Sequence, residues 1–180
     1  GTIYIHFKKY EKAISCYEKA IIIDPNNGKL NYNLGVAFNV LQDYQKAQGF
    51  YEKAITINPN YTNALNNLGL LFFNKGEYQK AQSCYEKAIE SNPKFDESYF
   101  NLGNLLKKIG KYQEAIGCYE KAIAINPNYK DALCNLGSVL NDTGKYQEAI
   151  NFFNKAIEID PNFVVALNNV GSIFSIYGNY

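Results

Sequence analysis

The chain has 180 residues, 47% hydrophobic and 19% charged with a formal net charge of +1, a composition that excludes a collagen and a disordered tail. No run approaches the roughly 18 apolar residues that a bilayer crossing needs, and Gly1 to Tyr10 lacks the basic-then-apolar plan of a secretory signal, so a soluble, cytoplasmic protein is expected. All eighteen basic residues are Lys, and without Arg or a basic excess neither nucleic acid nor a membrane is expected as a partner.

The five prolines, Pro25, Pro59, Pro93, Pro127 and Pro161, recur with a constant period of 34. The same step carries Gly1 through Gly35, Gly69, Gly103 and Gly137 to Gly171, and Tyr10 through Tyr44, Tyr78, Tyr112 and Tyr146 to Tyr180. Such a period marks an array of stacked structural repeats. In chain order it predicts a partial copy over residues 1–27, full copies over 28–61, 62–95, 96–129 and 130–163, and a partial copy over 164–180.

Each full copy is expected to hold two amphipathic helices. Leu65, Leu68 and Phe72 follow helical spacing on the first, and Ala81, Tyr85, Ala88 and Ile89 on the second. The break between them falls at Gly76, Gly110 and Gly144, where Gly suits a left-handed residue just past a helix end. Each second helix must stop at the Asn-Pro or Asp-Pro step, because Pro lacks a backbone donor and keeps its predecessor out of the helical region.

Glycine inside a helix costs about 1 kcal/mol relative to Ala, so Gly69 and Gly103 imply a close approach by another helix. Ala81 and Ala88 would accept neighbouring bulk, with Tyr85 between them as filler. Tyr17, Tyr51, Tyr119 and Phe153 share the Tyr85 column. Asn31 replaces the large residue found as Leu65, Tyr99, Leu133 and Leu167, which predicts a weaker contact in that copy.

Read together, Leu65, Leu68-Gly69, Phe72, Ala81, Tyr85, Ala88 and Pro93 resemble the tetratricopeptide repeat signature, and the resemblance runs the length of the chain. It implies an all-α solenoid, a right-handed superhelix of helix-turn-helix repeats whose first helices line a concave groove. It also implies a noncatalytic interaction module or scaffold that holds a protein or peptide ligand in that groove, as an extended peptide or a partner helix.

In the family, the groove is lined by first-helix residues around the Gly. Here these include Lys29, Tyr32, Asn33, Val36, Asn39 and Val40; then Asn63, Asn66, Asn67, Leu70, Phe73 and Asn74. They continue with Glu97, Phe100, Asn101, Asn104, Lys107 and Lys108, then Asp131, Cys134, Asn135, Ser138, Asn141 and Asp142. The candidate peptide-binding residues are Tyr32, Asn33, Asn67, Phe73, Asn101, Asn104, Lys107, Lys108, Asn135 and Asn169. Asn33, Asn67, Asn101, Asn135 and Asn169 form one column, and an Asn amide can pair with a peptide backbone whatever its side chains. This column resembles the Asn ladder in the repeat superhelix of O-linked N-acetylglucosamine transferases, although such amides can equally satisfy groups inside the solenoid.

Apolar Tyr32, Val36, Val40, Leu70 and Phe73 give way to Lys107 and Lys108 and then to Asp131 and Asp142, so a ligand with apolar side chains followed by an acidic one would match. Chaperone-binding members clamp a terminal carboxylate with Lys and Asn columns. Asn104 and Asn135 fit two of those columns, but Phe100 takes a Lys position and Val165 and Asn169 replace the last basic pair, so no such clamp is expected.

No catalytic constellation, metal site or cofactor motif is legible. The lone His6 has no triad context, and Cys16, Cys84 and Cys118 share a second-helix column where a buried apolar role is expected, while Cys134 is expected to face the groove. Two alternatives to a free-standing scaffold stay open: a substrate-recruiting arm of a larger enzyme of the O-linked N-acetylglucosamine transferase kind, and a rod segment in a large assembly. Both ends expose packing faces, because the chain starts at the Gly column inside a first helix and stops where a second helix should begin. Flanking repeats of a longer chain or end-to-end self-stacking would cover them.

Overall fold

The computed structural model describes the backbone of residues 2–177 and the side chains of residues 9–176. Among the described residues ten helices follow in order: α1 (Thr2–Ile23), α2 (Gly28–Val40), α3 (Tyr44–Ile57), α4 (Thr62–Asn74), α5 (Tyr78–Ser91), α6 (Asp96–Lys108), α7 (Tyr112–Ile125), α8 (Lys130–Asp142), α9 (Tyr146–Ile159) and α10 (Val164–Tyr177). No strand occurs among these residues. The fold is an all-α solenoid. It divides into two compact units, Gly1–Pro93 and Lys94–Tyr180.

Both predicted breaks occur where the chemistry requires them. Helices α4, α6 and α8 end on Gly76, Gly110 and Gly144, at φ of 78°, 79° and 81°. The following residue closes each turn by donating to a carbonyl five back, as Glu77 N does to Phe72 O at 2.9 Å. At the other break Asn58, Asn92, Asn126 and Asp160 are extended, as a residue before Pro must be.

The turn after α2 has no glycine. Gln42 takes the left-handed conformation there at φ 63°, and Asp43 N still reaches Phe38 O at 2.9 Å. A side chain in that region strains the backbone. Gln42→Gly is therefore expected to stabilise the chain by about 1 kcal/mol, read as a melting temperature about 2–4 °C higher.

Between paired helices the small-residue columns behave as the sequence implies. Ala47, Ala81, Ala115 and Ala149 are fully buried, as are Ala54, Ala88, Ala122 and Ala156, with Tyr51, Tyr85, Tyr119 and Phe153 packed between them. A Cβ placed on Gly69 would stand 2.7 Å from the Tyr85 ring, and one on Gly103 would stand 2.7 Å from Tyr119. The missing side chain is what lets each ring lie against the facing helix.

Asn31 is 1% exposed. Its amide donates to Asn27 O at 3.0 Å, while Oδ1 has no hydrogen-bond partner, a deficit of about 1–3 kcal/mol for a buried acceptor. Beside it lies a crevice of about 480 Å³ lined by Ile21, Pro25, Phe50, Lys53 and Ile57. This is the weak contact expected of Asn in a column filled elsewhere by Leu65 and Leu133, each 2% exposed.

Two elements differ from the sequence pattern. Helix α1 runs without interruption through the position where the other copies break; Lys8 stands there in the glycine column, so nothing favours a left-handed residue. The thiols are also placed differently. Cys16 is exposed and Cys84 and Cys118 are half-buried, whereas Cys134 is buried. The three expected in the core sit one position before the aromatic column, on the flank of the helix, and the one expected on the groove is covered. Burial pushes the Cys84 thiol up to about 11. The His6 side chain lies outside the described residues.

Candidate functional site

The first helices carry the candidate residues, and within each unit they are tied to one another through those residues. In the first unit, Asn67 Nδ2 on α4 donates to Tyr32 Oη on α2 at 3.4 Å. In the second, Asn135 Nδ2 on α8 donates to Asn104 Oδ1 on α6 at 2.8 Å. One first helix further, Asn169 Nδ2 on α10 faces Cys134 Sγ on α8 at 4.0 Å. Asn67, Asn135 and Asn169 thus each reach back to the preceding first helix. Each bond uses one amide N–H; the same side chains also act on the buried phenols below them, Asn67 on Tyr51 and Asn135 on Tyr119, and the rest of each amide lies outside these contacts.

Asn33, Asn67, Asn101, Asn135 and Asn169 are all half-buried. Asn104 sits at a junction, since Tyr119 Oη also donates to its Oδ1 at 2.8 Å. The two amides that fit the carboxylate-clamp columns are therefore bonded to each other, and Phe100 packs beside them with its ring centroid 4.8 Å from Tyr129 and 6.2 Å from Tyr119.

Lys107 is half-buried and donates to Ser138 Oγ at 2.7 Å, which fixes its ammonium between α6 and α8; Lys108 is exposed. Both lie in the last turn of α6, and Asp96 and Glu97 lie in its first turn. Each pair complements the helix dipole, so the face of the second unit is acidic at one edge and basic at the other. Burial, and secondarily Asp96, raises the Glu97 carboxyl above its ordinary range. Asn126 Nδ2 donates to Asp96 at 2.8 Å. In the first unit the same face is apolar: Val40 and Leu70 are exposed, and Phe73 is half-buried with its ring 5.9 Å from Tyr78.

Sequence reasoning missed one column. Tyr61, Phe95, Tyr129 and Phe163 also recur with the common period, immediately before the first helices. Tyr61, Phe95 and Tyr129 occupy N-cap positions but form no side-chain capping bond. Two of these rings pack on the preceding first helix instead, Tyr61 on Tyr32 at 5.1 Å and Tyr129 on Phe100 at 4.8 Å. Tyr32 and Phe100 are half-buried beside these rings, and Asn66 and Cys134, in the same column, are each 3% exposed, so the column forms a floor and not an open face. The signal was the same period that revealed the prolines.

The central tyrosines differ in how their hydroxyls are served. Tyr119 Oη is bonded to Asn104, whereas Tyr51 Oη is buried without a partner at hydrogen-bond geometry. Tyr119→Phe is expected to cost about 1 kcal/mol and Tyr51→Phe to be neutral or stabilising. Paired thermal melts check the difference. Phe153 already fills the same column without a hydroxyl.

Among the described residues no helix is long and apolar enough to cross a membrane. Residues 29–61 and 62–95 each match a tetratricopeptide repeat family model. Residues 97–162 match a second tetratricopeptide repeat model, and residues 1–39 a third described as a TPR repeat. No curated protein gives a significant match. Among solved structures, a crystal structure of MamA is 28% identical with a TM-score of 0.76, over 84% of this chain and 89% of that one. The crystal structure of YrrB, described as a TPR protein with an unusual peptide-binding site, is 25% identical with a TM-score of 0.73, over 89% of this chain and 83% of that one. Helix pairs seated through a glycine and an aromatic ring, repeated with one constant period and matched by family models along the chain, show that this protein belongs to the tetratricopeptide repeat family.

Proposed function

We propose that the chain is a noncatalytic scaffold that binds an extended peptide on its first-helix face, with helix pairs 28–61, 62–95, 96–129 and 130–163 as its units. The observation that carries this reading is the Asn column. Asn67 and Asn135 are each held by a bond to the preceding first helix, half-exposed, with amide capacity outside that bond. An amide fixed in this way loses little side-chain entropy when a peptide backbone pairs with it. The family's role as a protein-interaction scaffold and the peptide-binding site named for YrrB support the same reading.

Charge orients the ligand on the second unit. Lys107 and Lys108 at one edge favour an acidic residue, and Asp96 and Glu97 at the other favour a basic one. On the first unit Val40, Leu70 and Phe73 favour apolar side chains. Selection of random displayed peptides on the purified chain, followed by hydrogen exchange of the complex, tests the reading. Protection is expected on α2, α4, α6 and α8; protection confined to α3, α5, α7 and α9 would overturn it.

A further inference from the structure

The crevice beside Asn31 lies among α1, α2 and α3, and none of the candidate peptide-binding residues is among those that line it. The following copy has Leu65 in the place of Asn31 and Cys84 in that of Phe50, and there Leu65 is a core residue, 2% exposed. At Asn31 the same place opens into about 480 Å³, within the roughly 300–1,000 Å³ of sites that take a small ligand.

Its walls are apolar, from Ile21, Pro25, Phe50 and Ile57. Two groups set the chemistry of an occupant: Asn31 Oδ1, buried with no hydrogen-bond partner, and the Lys53 ammonium at the mouth, 5.2 Å from the centre of the Phe50 ring. Oδ1 calls for a donor that carries no acceptor with it, because an acceptor brought in alongside would be orphaned in turn. A phenol or a primary amide brings both, and a charged donor is penalised between apolar walls. An indole brings one N–H and no acceptor. Oδ1 is covered in this structure, so the N–H meets it as the amide turns within the broad χ2 range of Asn. Lys53 calls for a carboxylate next to the ring.

The surface around the crevice suits a protein. Ile22, one residue beyond Ile21, is 78% exposed. Thr56, Glu90, Ala124 and Glu158 hold the same position in the other copies and are exposed too, so every copy presents this position outward and this one presents a large apolar side chain.

We infer that the crevice is a second binding site, which takes a tryptophan side chain of a partner protein, its N–H on Asn31 Oδ1, its ring against Phe50 and Ile57, and a neighbouring acidic residue against Lys53.

The 180 residues contain no Trp, so indole fluorescence of a short Asp-Trp-Asp peptide reports its binding directly. With the parent chain the emission should shift to the blue and saturate. The same peptide with benzothienylalanine, which keeps the ring shape and lacks the N–H, should compete about tenfold more weakly. Asn31→Leu fills the crevice from within as Leu65 does and removes the buried acceptor, so that chain should melt no lower than the parent and bind the peptide at least tenfold more weakly. Lys53→Glu should favour a Lys-Trp-Lys peptide over Asp-Trp-Asp. No saturable binding to the parent, equal competition by the benzothienyl peptide, or undiminished binding by Asn31→Leu would overturn the inference. Free indole that competes as well as the peptide would overturn the assignment to a partner protein.

Discussion

Tyr85→Ala is expected to destabilise the α4–α5 pair by about 3–5 kcal/mol. The ring is 1% exposed, lies between Ala81 and Ala88, and occupies the space that Gly69 leaves by having no side chain. Neither neighbour can collapse into the void, because both are already at backbone-limited size. The facing side of the contact gives a sharper comparison. Gly103→Ala puts a Cβ 2.7 Å from the Tyr119 ring, an overpacking that costs about 1–3 kcal/mol. Gly117→Ala, in α7 with nothing within 4 Å, removes only the helix penalty of glycine and should stabilise by up to about 1 kcal/mol. The same substitution thus changes sign between glycines on the two helices of one pair, α6 and α7. Thermal unfolding checks all three variants, and equal melting temperatures for Gly103→Ala and Gly117→Ala would refute the packing scheme.

Alkaline unfolding should be steep. Burial is the leading cause that raises the phenols of Tyr51, Tyr85 and Tyr119 above their ordinary value of 10.0. The unfolded chain loses these protons near pH 10 while the folded chain retains them. Above that pH the folded state binds more protons, so stability falls as pH rises; below it these groups leave stability unchanged. Each group withdraws up to about 1.4 kcal/mol per pH unit, so three withdraw about 4. Helicity should be lost in one step just above pH 10, accompanied by the added absorbance of these three phenolates. Replacing all three tyrosines by Phe should move that step upward. A gradual titration with helicity intact well above pH 11 would contradict the burial of these rings.

The period of 34 made much of this fold legible, since it carries the chemistry of each break. Gly76, Gly110 and Gly144 and the Asn-Pro steps specify backbone geometry that few other residues adopt, and Gly69 with Tyr85 specifies a contact by absence and presence of volume. Outer-face detail was harder to read. Cys16, Cys84 and Cys118 share a column with Phe50 and Phe152, but a shared column fixes only direction, and a position beside the core line is covered only in part. Cys134 is buried in the column against which Tyr61 and Tyr129 pack at Tyr32 and Phe100, contacts that depend on loop geometry after Pro. The Asn column was read as capable of either ligand contact or internal bonding. Its bonds to neighbouring helices demonstrate the second capacity without removing the first, because an amide has more than one group to offer.

The most direct test of the scaffold reading is the affinity of a peptide, selected on the parent chain, for a variant carrying Asn67→Ala, Asn101→Ala and Asn135→Ala together, with circular dichroism confirming that the variant remains folded. Loss of the first-helix amides should weaken binding by about tenfold or more. Equal affinity for parent and variant would contradict the claim that this face binds peptides through its Asn column.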